Sequence, residues 1–227
     1  LLLKKNGITP DYVCGLSLGE YSALSAAGVF DPETAIQVVR ERGLAMEKAA
    51  EGVESAMMAI LGLEREPLLD ICDSCDGYVS IANYNCPGQL VIAGEKKAVE
   101  EAGQKALDHG ARRAVPLNTS GPFHTKLLKD ASTRLHEVFK DVTFHEMNVP
   151  VIFNCTGKEL EDCSVQEMLE KQVMSPVYFE DSIRTMINNG VDTIIEIGPG
   201  KVLSGFVRKI DRKIKTYQVE DMASLQK

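Results

Sequence analysis

A serine at the centre of a G-x-S-x-G pentapeptide, residues 15–19, is the side chain of this sequence best placed for covalent chemistry. Residues 12–14 before it are typical of a short buried strand, and residues 20–27 after it are typical of a helix. A tight turn between a strand and a helix exposes the serine hydroxyl, and the free N–H groups at the helix start can stabilise an oxyanion. The spacing therefore predicts Ser17 as a nucleophile, provided that a base lies nearby.

One of the four histidines, His124, is the best candidate for that base. It ends a G-P-F-H stretch in a loop that joins a predicted strand to a predicted helix, and rigidly held loops commonly carry catalytic residues. The other three histidines occupy positions where a histidine is usually structural or solvated. On position alone, a helix-capping or core role for His124 is an equally good interpretation.

The composition is that of an ordinary globular protein with enough residues to bury a core: 227 residues, 44% hydrophobic and 26% charged. The net charge of −8 argues against general nucleic-acid binding. No apolar run is long enough to cross a membrane, and no signal peptide is visible. We therefore expect neither a nucleic-acid nor a membrane partner.

The six cysteines lie far apart, and Cys72 and Cys75 form a single C-x-x-C pair at the end of a predicted helix. Redox pairs favour the start of a helix, and zinc sites usually need a second pair. The pattern predicts free thiols in a reducing cytoplasm and no metal site.

Residues 55–117 are predicted to form a strand, a helix, two strands, a helix and a final strand. The two middle strands, over 78–82 and 90–93, form a hairpin that turns at residues 85–88. This βαββαβ order matches the ferredoxin-like split unit. We therefore predict an inserted subdomain at 55–117.

The flanking segments, 1–54 and 118–227, alternate helices and strands, which predicts an α/β core with a mostly parallel sheet. Asp31, followed by proline, predicts the start of a helix that runs towards Met46. The apolar run over 191–197 predicts a buried strand.

Over essentially the whole chain, the sequence resembles the bacterial malonyl-CoA–acyl carrier protein transacylases. Five motifs occur in the order and rough spacing of that family, at residues 15–24, 42–43, 83–89, 121–124 and 196–203. The resemblance implies a hydrolase-like parallel-sheet core with an inserted ferredoxin-like subdomain, the arrangement that the element order also predicts.

The resemblance also implies an acyltransferase of fatty acid synthesis. Such an enzyme takes malonyl from CoA as a serine ester and passes it to the phosphopantetheine thiol of acyl carrier protein. Malonyl-CoA and the carrier protein would be substrates, and no cofactor is implied.

The family's roles fall on five residues of this sequence. Ser17 would be the nucleophile, and His124 would accept its proton and later return it to the leaving thiol. The backbone carbonyl of Gln172 would orient His124. The backbone N–H of Leu18 would donate to the oxyanion. Arg42 would hold the malonate carboxylate, although without the resemblance a surface ion pair with a neighbouring acid is the better interpretation.

Two further residues would line the substrate site by resemblance. Phe123 would leave little room for an extra methyl on the acyl group, and Asn85 would lie near the cleft, although turn hydrogen bonding is its ordinary role. Relatives begin with a further strand and a loop rich in glycine and glutamine that supplies a second oxyanion donor. The resemblance therefore implies that this sequence lacks the N-terminal portion of the family.

A basic run at residues 208–215 holds five cations and one acid, and one interpretation of it is a docking patch for the acidic carrier protein. The alternative is a solvated helix end whose cations complement the helix dipole. Lys126 and Lys129 could extend the patch towards the cleft.

Three other functions stay open on the sequence. An α/β-hydrolase esterase shares the serine turn but places its histidine late in the chain, whereas no histidine follows His145 here. An acyltransferase module of a multienzyme synthase would share the motifs, but no flanking linker is visible. A non-catalytic fragment that binds a carrier protein would not form a covalent malonyl adduct.

Overall fold

The structure is a computed structural model that describes residues 2–225. Leu1 and residues 226–227, which belong to the segments predicted to form the α/β core, lie outside the described residues. The α-helices are α1 (Leu2–Lys5), α2 (Leu18–Ala26), α3 (Pro32–Ala50), α4 (Arg65–Asp73), α5 (Lys96–Asp108), α6 (Lys129–Phe139), α7 (Val165–Gln172), α8 (Phe179–Asn188), α9 (Val202–Ile210) and α10 (Met222–Leu225). The strands are β1 (Val13–Cys14), β2 (Ser55–Leu61), β3 (Val79–Cys86), β4 (Gln89–Glu95), β5 (Arg113–Pro116), β6 (Val151–Ile152), β7 (Thr193–Ile197) and β8 (Lys215–Val219). Within residues 2–225, no helix is both long enough and apolar enough to cross a bilayer.

The largest sheet is antiparallel, with the strand order β3-β4-β2-β5, and α4 and α5 pack against it around Ile60, Leu68 and Ile92. Its hairpin is longer than predicted, because β3 continues to Cys86 and β4 begins at Gln89. A two-residue turn suffices here, since Gly88 takes a φ of 66°.

The parallel strands form two separate pairs, β1 with β6 and β7 with β8, instead of the one sheet that the sequence predicts. The prediction of a buried strand at 191–197 is wrong, since residues 193–196 are only half-buried and Ile197 is 73% exposed. Ile194 packs against the cluster formed with α8 and α9. Ile197 lies an odd number of residues away and so faces the opposite side, which these helices leave uncovered.

Helix α3 starts as predicted and carries Arg42 in its third turn. The Asp31 carboxylate accepts hydrogen bonds from the backbone N–H groups of Glu33 and Thr34, at 2.9 and 3.0 Å. These bonds satisfy N–H groups that the first helical turn leaves free. The helix continues to Ala50, four residues beyond its predicted end, because apolar side chains along it pack against α2 and α6.

Charged and backbone contacts tie the antiparallel sheet to the rest of the molecule. Arg65 on α4 makes a two-point ion pair with Asp181 on α8, with N–O distances of 3.0 and 2.7 Å, and its guanidinium lies 4.8 Å from the ring centroid of Tyr84. Residue Val177 exchanges backbone hydrogen bonds with Ala82 and Tyr84 on β3. The edge strand β3 is therefore held against the segment that leads into α8.

Candidate active site

Ser17 sits between β1 and α2 in a strained backbone conformation, with a φ of 54° and a ψ of −106°. Gly15 makes the tight turn possible, because a Cβ at that position would collide with the backbone of Gly19 and Glu20. Gly19 itself faces open space, so its own lack of a side chain is not required by packing. The predicted serine turn is therefore present, and Gly15 is the glycine on which it depends.

Asn154 holds this turn in place through its side-chain amide. Its Oδ1 accepts from the Ser17 N–H and its Nδ2 donates to the Gly15 carbonyl, both at 2.6 Å. Its own N–H donates to the carboxylate of the fully buried Glu20, also at 2.6 Å. Asn154 was not among the residues predicted from the sequence, although a polar side chain just after a predicted core strand is a useful signal.

Burial shifts the proton equilibrium of Glu20. It raises the pKa of the carboxyl from 4.5 to about 8, while the Asn154 N–H and the charge of Arg42 act in the opposite direction. Since the folded state binds this proton more tightly than the unfolded chain, the contribution of Glu20 to stability is largest at low pH. It declines as pH rises through that interval.

His124 lies against the serine as predicted. Its Nε2 is 2.7 Å from Ser17 Oγ, and its Nδ1 is 2.9 Å from the backbone carbonyl oxygen of Gln172. A carbonyl oxygen can only accept, so the proton of the neutral ring resides on Nδ1 and Nε2 is free to accept the serine proton. The arrangement connects a hydroxyl, a ring nitrogen that can accept its proton and a backbone carbonyl that orients the ring.

The pKa of His124 predicts the pH dependence of serine acylation. Burial, helped by the charge of Arg42, lowers that pKa from 6.5 to about 4. The neutral base therefore persists well below neutral pH, and the kcat/KM for serine acylation is expected to stay within about twofold between pH ~7.5 and ~5.5. Stopped-flow acylation would measure it, with circular dichroism to verify folding. A decline of about tenfold across that interval would contradict the expectation.

Arg42 points into the same site, and it has no acidic partner among the residues that the structure describes. Its Nη2 donates to Ser17 Oγ at 3.0 Å, and its Nε and Nη2 both donate to Gln172 Oε1, at 3.2 and 3.1 Å. The side chain is buried, and within residues 2–225 no carboxylate lies at ion-pair distance from it. The surface ion pair with Glu41 is not formed, because Glu41 pairs with two other arginines. A buried, unneutralised guanidinium beside a nucleophile can bind an acyl group that carries a carboxylate.

The remaining predicted residues are less tightly connected to this group. Leu18 is the first residue of α2, where helix geometry leaves its N–H without an intrahelical partner. Phe123 packs between the main core and the antiparallel sheet, next to His124 in the chain. Asn85 lies in an irregular part of β3, not in a turn as its ordinary role predicted, and its buried Oδ1 has no hydrogen-bond partner among the described residues.

Comparison with known proteins identifies relatives over nearly the whole chain. The family model described as acyl transferase domain matches residues 1–226. A malonyl CoA-acyl carrier protein transacylase of Bacillus subtilis is 47% identical over 98% of this chain and 72% of its own length. The crystal structure of such a transacylase from Clostridium perfringens superimposes with a TM-score of 0.95 at 42% identity, covering 99% of this chain and 72% of that one. A malonyl-transacylase in complex with a type II PKS acyl-carrier protein has a TM-score of 0.95 at 38% identity, covering 99% of this chain and 74% of that one.

Proposed function

We propose residue roles for this chain on the premise of its family. The chain belongs to the acyl transferase domain family, among the malonyl CoA-acyl carrier protein transacylases. It is an acyltransferase whose substrates are malonyl-CoA and acyl carrier protein, and it serves fatty acid synthesis. What is left to assign is the work of each residue in the site.

We assign the nucleophile to Ser17 and the general base to His124. As the Ser17 oxygen attacks the thioester carbon, His124 Nε2 takes the hydroxyl proton, and the C–S bond breaks as that proton passes to the CoA sulfur. The resulting malonyl ester is then attacked by the carrier thiol, whose proton returns to Ser17 through the same nitrogen. The Leu18 N–H would stabilise the oxyanion in both steps.

Substrate binding falls to Arg42, Phe123 and Asn85 in this proposal. Arg42 would take the malonyl carboxylate through two parallel hydrogen bonds. Phe123 would limit the space around the acyl chain. Asn85 would offer its unpartnered Oδ1 to an amide N–H of the pantetheine arm.

The observation that supports this assignment most directly is the 2.7 Å contact between Ser17 Oγ and His124 Nε2 beside the unneutralised Arg42. The assignment is tested by incubating the protein with malonyl-CoA and measuring its intact mass, because a malonyl ester adds one malonyl mass. Digestion should then locate the added mass on the peptide that contains Ser17. An esterase would instead release free malonate, and a non-catalytic carrier-binding fragment would show no adduct.

We also propose that residues 55–117 act as an inserted ferredoxin-like subdomain. The strand order β3-β4-β2-β5, with α4 and α5 on one face, supports this division. For the compartment we propose the cytoplasm, because all six cysteines are free thiols, as proteins in reducing compartments usually keep them.

For the carrier protein we propose a docking site at the basic end of α9. A surface pocket of about 620 Å³ lies there, and it is lined by Pro87, Arg112, Arg208, Lys209, Arg212 and Ile214. Four of these six residues are cationic. Arg112 joins the basic run although it is almost a hundred residues away in the sequence. Lys126 does not line this pocket and instead lies 4.1 Å from the ring centroid of Tyr78.

Reversing two charges of the pocket, Arg208→Glu with Arg212→Glu, is expected to slow malonyl transfer to the carrier by about tenfold at low salt. Serine loading from malonyl-CoA should be spared, and added salt should reduce the defect because screening weakens steering. Single-turnover transfer to the carrier measures both effects. The matched control is Lys96→Glu with Lys97→Glu on α5, which changes the net charge equally. Equal carrier kinetics for the two double variants would exclude the pocket.

A further inference from the structure

The side chain of Gln172 is fully buried and is connected to both the nucleophile and Arg42. Its Oε1 accepts from Arg42 Nε at 3.2 Å and from Arg42 Nη2 at 3.1 Å, while its Nε2 donates to the Ser17 carbonyl at 2.9 Å. These bonds use the amide alone. They are separate from the backbone carbonyl of the same residue, which accepts from His124.

The Gln172 amide contacts one edge of the Arg42 guanidinium and leaves another edge without a contact to the amide. Gln172 takes the edge formed by Nε and Nη2, and Nη2 also reaches Ser17 Oγ at 3.0 Å. The end of the guanidinium that carries Nη1 takes no part in these bonds. An acyl group esterified to Ser17 would therefore meet Arg42 on the edge formed by Nη1 and Nη2. One N–H of each nitrogen is parallel there and suits a carboxylate, once esterification has replaced the hydroxyl contact of Nη2.

The neutrality of the amide also matters. A glutamine oxygen satisfies N–H donors without cancelling the positive charge, whereas a carboxylate in its place would bind Arg42 permanently and compete with the substrate. The buried carboxyl of Glu20 interacts electrostatically with Arg42 but forms no ion pair with it in residues 2–225. The charge of Arg42 is thus available to an incoming acid.

We propose that the Gln172 side chain is a positioning residue for acyl selection, which holds Arg42 at a fixed angle to Ser17 and keeps its charge free for the carboxylate of a malonyl-type acyl group. This inference rests on the proposed role of Arg42 in malonate binding. It adds a specificity function to a residue whose backbone was expected to act only on His124.

Two substitutions of similar size test the inference, and both keep the backbone carbonyl. Gln172→Met removes the amide bonds, and Gln172→Glu replaces the neutral acceptor with a charge. Serine loading would be measured with malonyl-CoA and acetyl-CoA for each. We expect the malonyl-to-acetyl ratio of kcat/KM to fall by about tenfold or more, mainly through a higher KM for malonyl-CoA. The pH profile of acylation should keep its shape in Gln172→Met, because that variant leaves the backbone acceptor of His124 and the charge of Arg42 unchanged.

Controls separate this inference from the proposed function beneath it. Gln37→Glu adds the same charge at an exposed site on the helix that carries Arg42, and it should leave the ratio unchanged. If Arg42→Ala changes the ratio but the Gln172 variants do not, the role of Gln172 is wrong and that of Arg42 stands. An unchanged ratio in Arg42→Ala would instead remove the proposed function of Arg42. Equal losses with both substrates in folded Gln172 variants also overturn the inference, and if Gln172→Met fails to fold, Gln172→Glu carries the comparison.

Discussion

Replacing Ser17 by alanine is expected to abolish the covalent malonyl adduct and to reduce transfer to the carrier by at least about a thousandfold. The reason is geometric, since Ser17 Oγ lies within hydrogen-bond distance of both His124 Nε2 and the Arg42 guanidinium. Intact mass after incubation with malonyl-CoA measures the adduct, and the amount of malonyl-carrier protein formed measures turnover.

The matched control is Ser22→Ala, which changes an exposed serine on α2, the helix that follows Ser17. This variant should load malonyl like the original protein. A malonyl ester that still forms in Ser17→Ala would assign the nucleophile to another residue.

Arg42→Ala is expected to shift acyl preference towards acetyl, with malonyl loading falling by about tenfold to a hundredfold relative to acetyl loading. That range corresponds to the ~1.5–3 kcal/mol of a hydrogen bond to a charged group. Acetyl-CoA should suffer less, because removing the guanidinium also removes the cost of leaving it unpaired beneath a neutral acyl group. The kcat/KM values for the two thioesters would be compared in one assay.

Arg40→Ala controls for the loss of an arginine from α3, since the Arg40 side chain is 72% exposed and, within residues 2–225, forms an ion pair only with its neighbour Glu41. Its malonyl-to-acetyl ratio should equal that of the original protein. If Arg42→Ala reduces both substrates equally, Arg42 supports the structure of the site and does not select the acyl group.

The serine turn was predictable because its determinants are local. A short strand, a glycine with no room for a Cβ and a following helix are all contiguous with Ser17. The pairing with His124 depends on a contact across 107 positions. The Gly and Pro residues of its loop made that histidine a candidate, but only tertiary packing brings its Nε2 within 2.7 Å of Ser17 Oγ.

The environment of Arg42 was harder to predict from residue patterns. A helical arginine next to a glutamate is usually a surface ion pair, and the burial that excludes this is decided by packing of α3 against distant segments. The contacts of the Asn154 and Gln172 amides were not predicted for the same reason. A single amide residue leaves no periodic pattern in the sequence, and its role depends on the groups that packing brings around it. The exposure of Ile197 likewise depends on which neighbours cover the second face of β7.

Among the described residues, Ser17 and His124 are the two non-glycine residues with positive φ, at 54° and 62°. Such conformations cost about 1–3 kcal/mol each, so the backbone is strained at the two residues that we propose to react. A directed-evolution campaign that rewards only thermal tolerance is therefore expected to favour glycine at these two positions. The selected variants would be thermally stable but would lack acyl transfer activity, so each round would also need a screen for turnover.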